Sequence, residues 1–244
     1  MKYLKYTIIT IIIFTFIFTW LFPQFIRCFF VELDDFQEIK TNIFVEKSIS
    51  KQQQDSLIHY VINADSRIKD FWGKREGKAK IIFCKNAETY KKYAKTTEGA
   101  GFSIGTPLGS WIILNKDGLN IDVIAHEMCH DELMTRLGWW RTKKEIPTWF
   151  DEGLALMLDY RFVSSQDSIQ RYIDYRSELS YLTSKPIPLE EIVTQKGFFG
   201  KSELFTKIAY FTSAVEVSRK ISLKGKQEIF RTIEKTKKEG KFEF

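Results

Sequence analysis

The sequence predicts an α+β fold: a small mixed sheet with one motif-bearing helix, then a half made only of helices, behind an N-terminal transmembrane helix. Three observations predict it. Short apolar runs with strand character (residues 42–45, 80–84 and 110–115) all precede residue 116. Helical periodicity dominates from residue 122 onward. Residues 6–26 carry no charge and are dense in Ile and Phe.

The elements follow in order. Lys2 and Lys5 precede the uncharged run and Arg27 follows it. About 20 such residues can cross a bilayer. No small-residue cleavage pattern is present, and Trp20, Pro23 and Arg27 suit an interfacial exit, so an uncleaved anchor is expected. A signal sequence that is removed, leaving a secreted chain, is the alternative. Positive charge ahead of the span places the remainder outside the cytoplasm. Residues 1–30 are therefore expected to be the anchor, 31–40 a stalk, and 41–244 the folded domain.

Residues 50–72 predict a helix, with Leu57, Ile58, Val61, Ile62, Ile68 and Phe71 at helical spacing. Asn86 caps a helix running to residue 95. Residues 99–109 hold four glycines and predict a loop. The loop lacks the Gly-Lys-Ser/Thr ending of a phosphate-binding loop. Residues 122–137 predict a helix capped by Asn120 or Asp122 and ended by Gly138. The stretch Trp139 to Glu145 predicts a loop. Pro147 suits the first turn of a helix over 147–160. Further helices are expected over 165–182, 202–221 and 226–237.

Composition bounds the partners. The chain has 244 residues, a net charge of +6 and 28% charged residues, which is mildly basic and ordinary for a globular protein. No interleaved aromatic and basic motif suggests nucleic acid, so none is expected. The three cysteines, Cys28, Cys84 and Cys129, define no disulfide framework, and buried thiols are expected. Nothing in the sequence sets an oligomeric state.

The chemistry concentrates in His126-Glu127-Met128-Cys129-His130. Positions i and i+4 share one face of a helix, so both imidazoles can reach one metal ion. Glu127 lies about 100° round the helix from His126. There it can touch a water on the metal without being a ligand. Zinc suits two imidazoles and lowers the pKa of its water to about 7. A catalytic zinc also needs a third protein ligand. Glu152 opens a run, Gly153 to Leu158, that holds no charge. A carboxylate at the edge of a buried helix is costly unless paired or metal-bound. The alternative is an exposed first-turn acid favoured by the helix dipole. Gly153 and Ala155 are small, which lets this helix approach another closely. Asp151 reads as a partner of a ligand histidine or as a solvated acid.

HEMCH followed by Pro-Thr-Trp-Phe-Asp-Glu-Gly-Leu-Ala, residues 147–155, resembles the gluzincin zinc metallopeptidases, and among them the peptidase MA-like families. The resemblance covers residues 40–238. It implies a zincin-like fold and one Zn²⁺ per chain held by His126, His130 and Glu152. It also implies peptide or protein substrates. Twenty-one residues separate His130 from Glu152, more than in the best-known gluzincins. The strand ahead of the HExxH helix, which lies antiparallel to bound substrate in those families, falls on residues 110–115. Tyr210 and Ser213 match a Tyr-x-x-Ser pattern, which makes Tyr210 an oxyanion stabiliser by analogy and equally a core tyrosine. The expected activity is peptide-bond hydrolysis with Glu127 as general base. The alternative is a catalytically silent, membrane-tethered binding or scaffold protein of the same fold. An intramembrane protease is excluded, because the motif helix carries Asp122, Asp131, Glu132 and Arg136.

Overall fold

The computed structural model describes residues 6–7, 21–96 and 99–244. Five strands form one mixed sheet: β1 (Phe36–Lys40), β2 (Ile43–Glu46), β3 (Lys80–Phe83), β4 (Gly101–Thr106) and β5 (Gly109–Leu114). Their order is β1-β2-β3-β5-β4, so β1 and β4 are the two edges. β1 and β4 run antiparallel to their neighbours, while β2, β3 and β5 are mutually parallel.

Period-2 alternation sends each strand's side chains to two cores. Phe44, Ile82, Trp111 and Ile113 face one side, with Cys28, Val31, Tyr90 and Tyr93. The covering helices there are α1 (Pro23–Phe29) and α3 (Ala87–Ala94). Ile43, Val45, Ile81, Phe83, Ile112 and Leu114 face the other side. There they meet α2 (Lys51–Trp72) and the central helix α4 (Ile121–Leu137). Both helices begin as their sequences require. The Ser50 side chain accepts from the Gln53 amide and that of Asn120 from the Val123 amide. Gly73 and Gly138 follow their C-termini with φ of +82° and +84°.

The helical half consists of α5 (Trp139–Glu145), α6 (Thr148–Ala155), α7 (Ser168–Leu182), α8 (Gln195–Phe199), α9 (Glu203–Lys224) and α10 (Gln227–Glu239). The expected small-residue contact is present. A Cβ on Gly153 would stand 2.6 Å from the Ser213 carbonyl oxygen, so α6 lies directly against the backbone of α9. Phe242 and Phe244 then close over Trp149 and Phe150, with ring centroids 4.8–6.0 Å apart.

Several expectations are corrected. The glycine-rich stretch holds strand β4. Its glycines serve close packing, because a Cβ on Gly101 would meet Glu127 Cγ at 2.8 Å and one on Gly105 would collide with Met134. Trp139 to Glu145, expected as a loop, is helix α5. The helix expected over 147–160 stops at Ala155, and a turn follows. The stretch expected as a stalk folds into the domain. Val31 is buried and β1 pairs with β2. Residues 23–29 belong to the domain as well, since Cys28 is fully buried and packs with Tyr93. Most of the uncharged run, residues 8–20, lies outside the described residues. Among the described residues no helix is long and apolar enough to cross a membrane.

Candidate metal centre

Two helices build the site. α4 presents His126, Glu127 and His130, and α6 presents Asp151 and Glu152. The helical period turns both imidazoles toward α6, and the missing side chain at Gly153 lets α6 come close enough to meet them. His126 Nε2 is 3.3 Å from Glu152 Oε2, and His130 Nε2 is 3.7 Å from the same oxygen. One ligand atom from each of the three residues lies within 4.8 Å of the others, a grouping that could hold a metal ion. Glu152 Oε2 is buried and makes no hydrogen bond among the described residues. A buried, unsatisfied carboxylate oxygen is costly, and a cation between it and the two Nε2 atoms would remove that cost. The donor set therefore fits a divalent metal.

The outer ring nitrogens face separate acids. His130 Nδ1 is 2.6 Å from Asp151 Oδ1. His126 Nδ1 is 3.5 Å from Asp159 Oδ2. Asp159 is itself fully buried and gripped by Arg161, whose Nε is 2.9 Å from Oδ1 and Nη2 2.5 Å from Oδ2. Asp151 is in hydrogen-bond contact with His130 Nδ1, whereas Asp159 faces His126 Nδ1 across a longer gap, and that nitrogen makes no hydrogen bond among the described residues. An acid facing Nδ1 favours a proton there, so that Nε2 is the nitrogen that would give up its proton to a metal. Burial acts to lower the pKa of His126, but Asp159 and Glu152 outweigh it and push the ring up to about 10. In His130 the same opposition, with Asp151 and Glu152 prevailing over burial, gives about 9. Burial raises Asp159 and Asp151, yet His126 with Arg161, and His130, respectively hold both carboxyls below the usual range.

Glu127 is 7% exposed and stands beside this group without joining it. The edge strand β4 holds its carboxylate. The Ser103 hydroxyl is 2.6 Å from Glu127 Oε2, and Gly101 leaves space for the Glu127 stem. Strand β5, expected to face substrate, is interior between β3 and β4. Among the described residues β4 is a free edge, and it lies beside Glu127. Tyr210, on α9, places its ring 6.4 Å from that of His126, and Phe198 packs on it at 5.0 Å. Burial raises its hydroxyl pKa well above normal, and the neighbouring Glu152 adds to the rise. Cys129 points into the core and is not part of the group. His59 sits exposed on α2.

Sequence reasoning missed Asp159, Arg161 and Ser103. The clue to Asp159 was present: it is an acid that closes the uncharged run beginning at Gly153.

No family model matches the chain. Over 111 residues, 44% of this chain, it is 30% identical to leucine aminopeptidase 2 of Chaetomium globosum. The matched stretch is 15% of that protein's length. The chain is thus distantly similar to a peptidase, and it brings together a His-His-Glu group able to hold a metal ion.

Proposed function

We propose that the chain is a zinc-dependent peptidase of the gluzincin kind. On this reading the uncharged run ahead of Pro23 tethers it to a membrane and its catalytic domain lies outside the cytoplasm. The observation that carries the proposal is the convergence of His126 Nε2, His130 Nε2 and an unpartnered Glu152 Oε2 beside the Glu127 carboxylate. His126, His130 and Glu152 would hold one zinc per chain, the two-histidine, one-carboxylate set that leaves a position open for reaction. When bound, the ion polarises the scissile carbonyl and acidifies water.

The chain's own groups do the rest. Glu127 accepts the proton of the attacking water and delivers it to the leaving amine. Ser103, by donating to Oε2, holds that carboxylate in one orientation. The Tyr210 hydroxyl, whose pKa Glu152 helps to raise, would donate to the carbonyl oxygen as charge develops there. An extended peptide laid along the free edge of β4 would carry its backbone past Glu127.

Treating the purified full-length chain with a strong chelator should abolish cleavage of a mixed peptide library, and zinc added back should restore it. Cleavage that persists with no detectable metal would refute the proposal. The aspartates on Nδ1 give a finer test. Asp159→Asn and Asp151→Asn should each weaken zinc binding about 10–100-fold, measured by competition against a chromogenic chelator. Unaltered affinity in both would deny them any part in holding the site.

A further inference from the structure

Trp139 closes one end of the β4 edge, and the closure limits how a peptide can lie there. β4 and β5 join through a two-residue turn, Pro107-Leu108, with Thr106 paired to Gly109. In such a hairpin the residues flanking the loop exchange hydrogen bonds. Alternation then points the N–H and C=O of Gly105, Ser103 and Gly101 away from β5, toward the free edge. The bond from the Asn115 amide to the Ala100 carbonyl, at 3.2 Å, fits the same phase.

These three outward residues are not equally free. The Trp139 indole Nε1 donates to the Gly105 carbonyl at 2.8 Å. Gly138, with φ +84°, reverses the chain just before Trp139 and starts α5 there. The indole is therefore laid back across β4 from the far end of α4. Gly101 and Ser103 stand beside Glu127, whereas Gly105 sits over Met134. Among the described residues, the open part of the edge is the part next to the general base. Beyond Ser103 it ends under an indole.

We infer that Trp139 is a specificity-determining residue that terminates the peptide-binding edge at Gly105. Antiparallel strand pairs outnumber parallel ones about two- to three-fold in sheets, and we take the peptide to add in that direction. In that direction the closed end receives the part of the substrate N-terminal to the scissile bond. Only a short N-terminal stretch pairs with Ser103 and Gly101, and residues farther out leave the sheet. This rests on the peptidase reading above and adds to it a limit on substrate reach.

The test uses the zinc-loaded full-length chain and two ladders of synthetic peptides around one cleaved sequence, lengthened either N-terminally or C-terminally. For the wild type, kcat/KM should stop rising after about two residues on the N-terminal side. Trp139→Phe removes the indole donor and keeps an aromatic ring. Trp139→Ala removes the ring as well. With the Gly105 carbonyl freed, each variant should gain about fivefold in kcat/KM from the next N-terminal residue, the worth of one net backbone hydrogen bond. The gain should lie in KM, with kcat on the shortest peptide unchanged and zinc content and melting temperature retained. A ladder with no N-terminal plateau, a plateau on the C-terminal side instead, or a plateau that neither variant lifts overturns the inference while leaving the peptidase reading intact. Absence of any cleavage by the wild type overturns both.

Discussion

Glu127→Gln should lower peptide hydrolysis by about 10²–10⁴-fold while leaving the metal in place. Glutamine keeps the size of the side chain and can still meet the Ser103 hydroxyl, now 2.6 Å from Oε2. It cannot take a proton from water or return one to the leaving amine. Glu127 is outside the group formed by His126, His130 and Glu152, so the substitution leaves the ligands untouched. The measurement is a paired one: turnover on a peptide library and zinc content on the same preparations. Full turnover in the variant would remove Glu127 from the chemistry. Loss of zinc would show that it helps hold the ion.

The metal-free chain should lose stability as pH rises from about 6.5 toward about 10, and the zinc-loaded chain should not. Without metal, the carboxylates around them hold His126 and His130 protonated, with pKa values pushed up to about 10 and about 9. Unfolded, both rings titrate near 6.5. A group whose pKa is raised on folding stabilises the native state fully below its unfolded pKa. That contribution disappears as pH climbs through the folded value. Two such buried groups amount to several kcal/mol, a large share of a typical stability of about 5–15 kcal/mol. With zinc bound, the Nε2 atoms hold metal in place of protons, and the dependence over this window vanishes. Thermal unfolding of chelated and zinc-loaded protein at pH 6.5, 8 and 9.5 measures it. A metal-free melting temperature that climbs with pH would contradict the arrangement of charges described for the site.

What the sequence disclosed, and what it hid, follows from how far each feature depends on tertiary contact. The two histidines were legible because a helix forces i and i+4 onto one face. Glu152 was legible because an acid opening an apolar run needs a reason. Asp159 depends on the chain turning after Ala155 and folding back onto His126, and no local pattern encodes that turn. Ser103 and the strand around it were hidden by their glycines. Gly101 and Gly105 suggested a loop, but they are small because α4 passes directly beneath them. Helix α5 has seven residues and no apolar period, so WWRTKKE looked like a connection. At the other end, hydropathy suggested that everything up to residue 30 was membrane segment. Burial of Cys28 and Val31 assigns the last part of that stretch to the domain. The mixed sheet followed by helices was visible in outline, whereas the edge position of β4 was not, because strand order is set by packing across the sheet.

The central claim is that His126, His130 and Glu152 hold one metal ion. Its most direct test is titration of zinc into the chelator-stripped full-length chain, with binding followed by calorimetry in two buffers of different ionisation heat. The account predicts one zinc per chain and proton release on binding, since both histidines are protonated in the metal-free state near neutral pH. It also predicts that His126→Ala and Glu152→Ala each abolish tight binding. Stoichiometric zinc binding that survives both substitutions, or no binding by a folded wild-type chain, would contradict it.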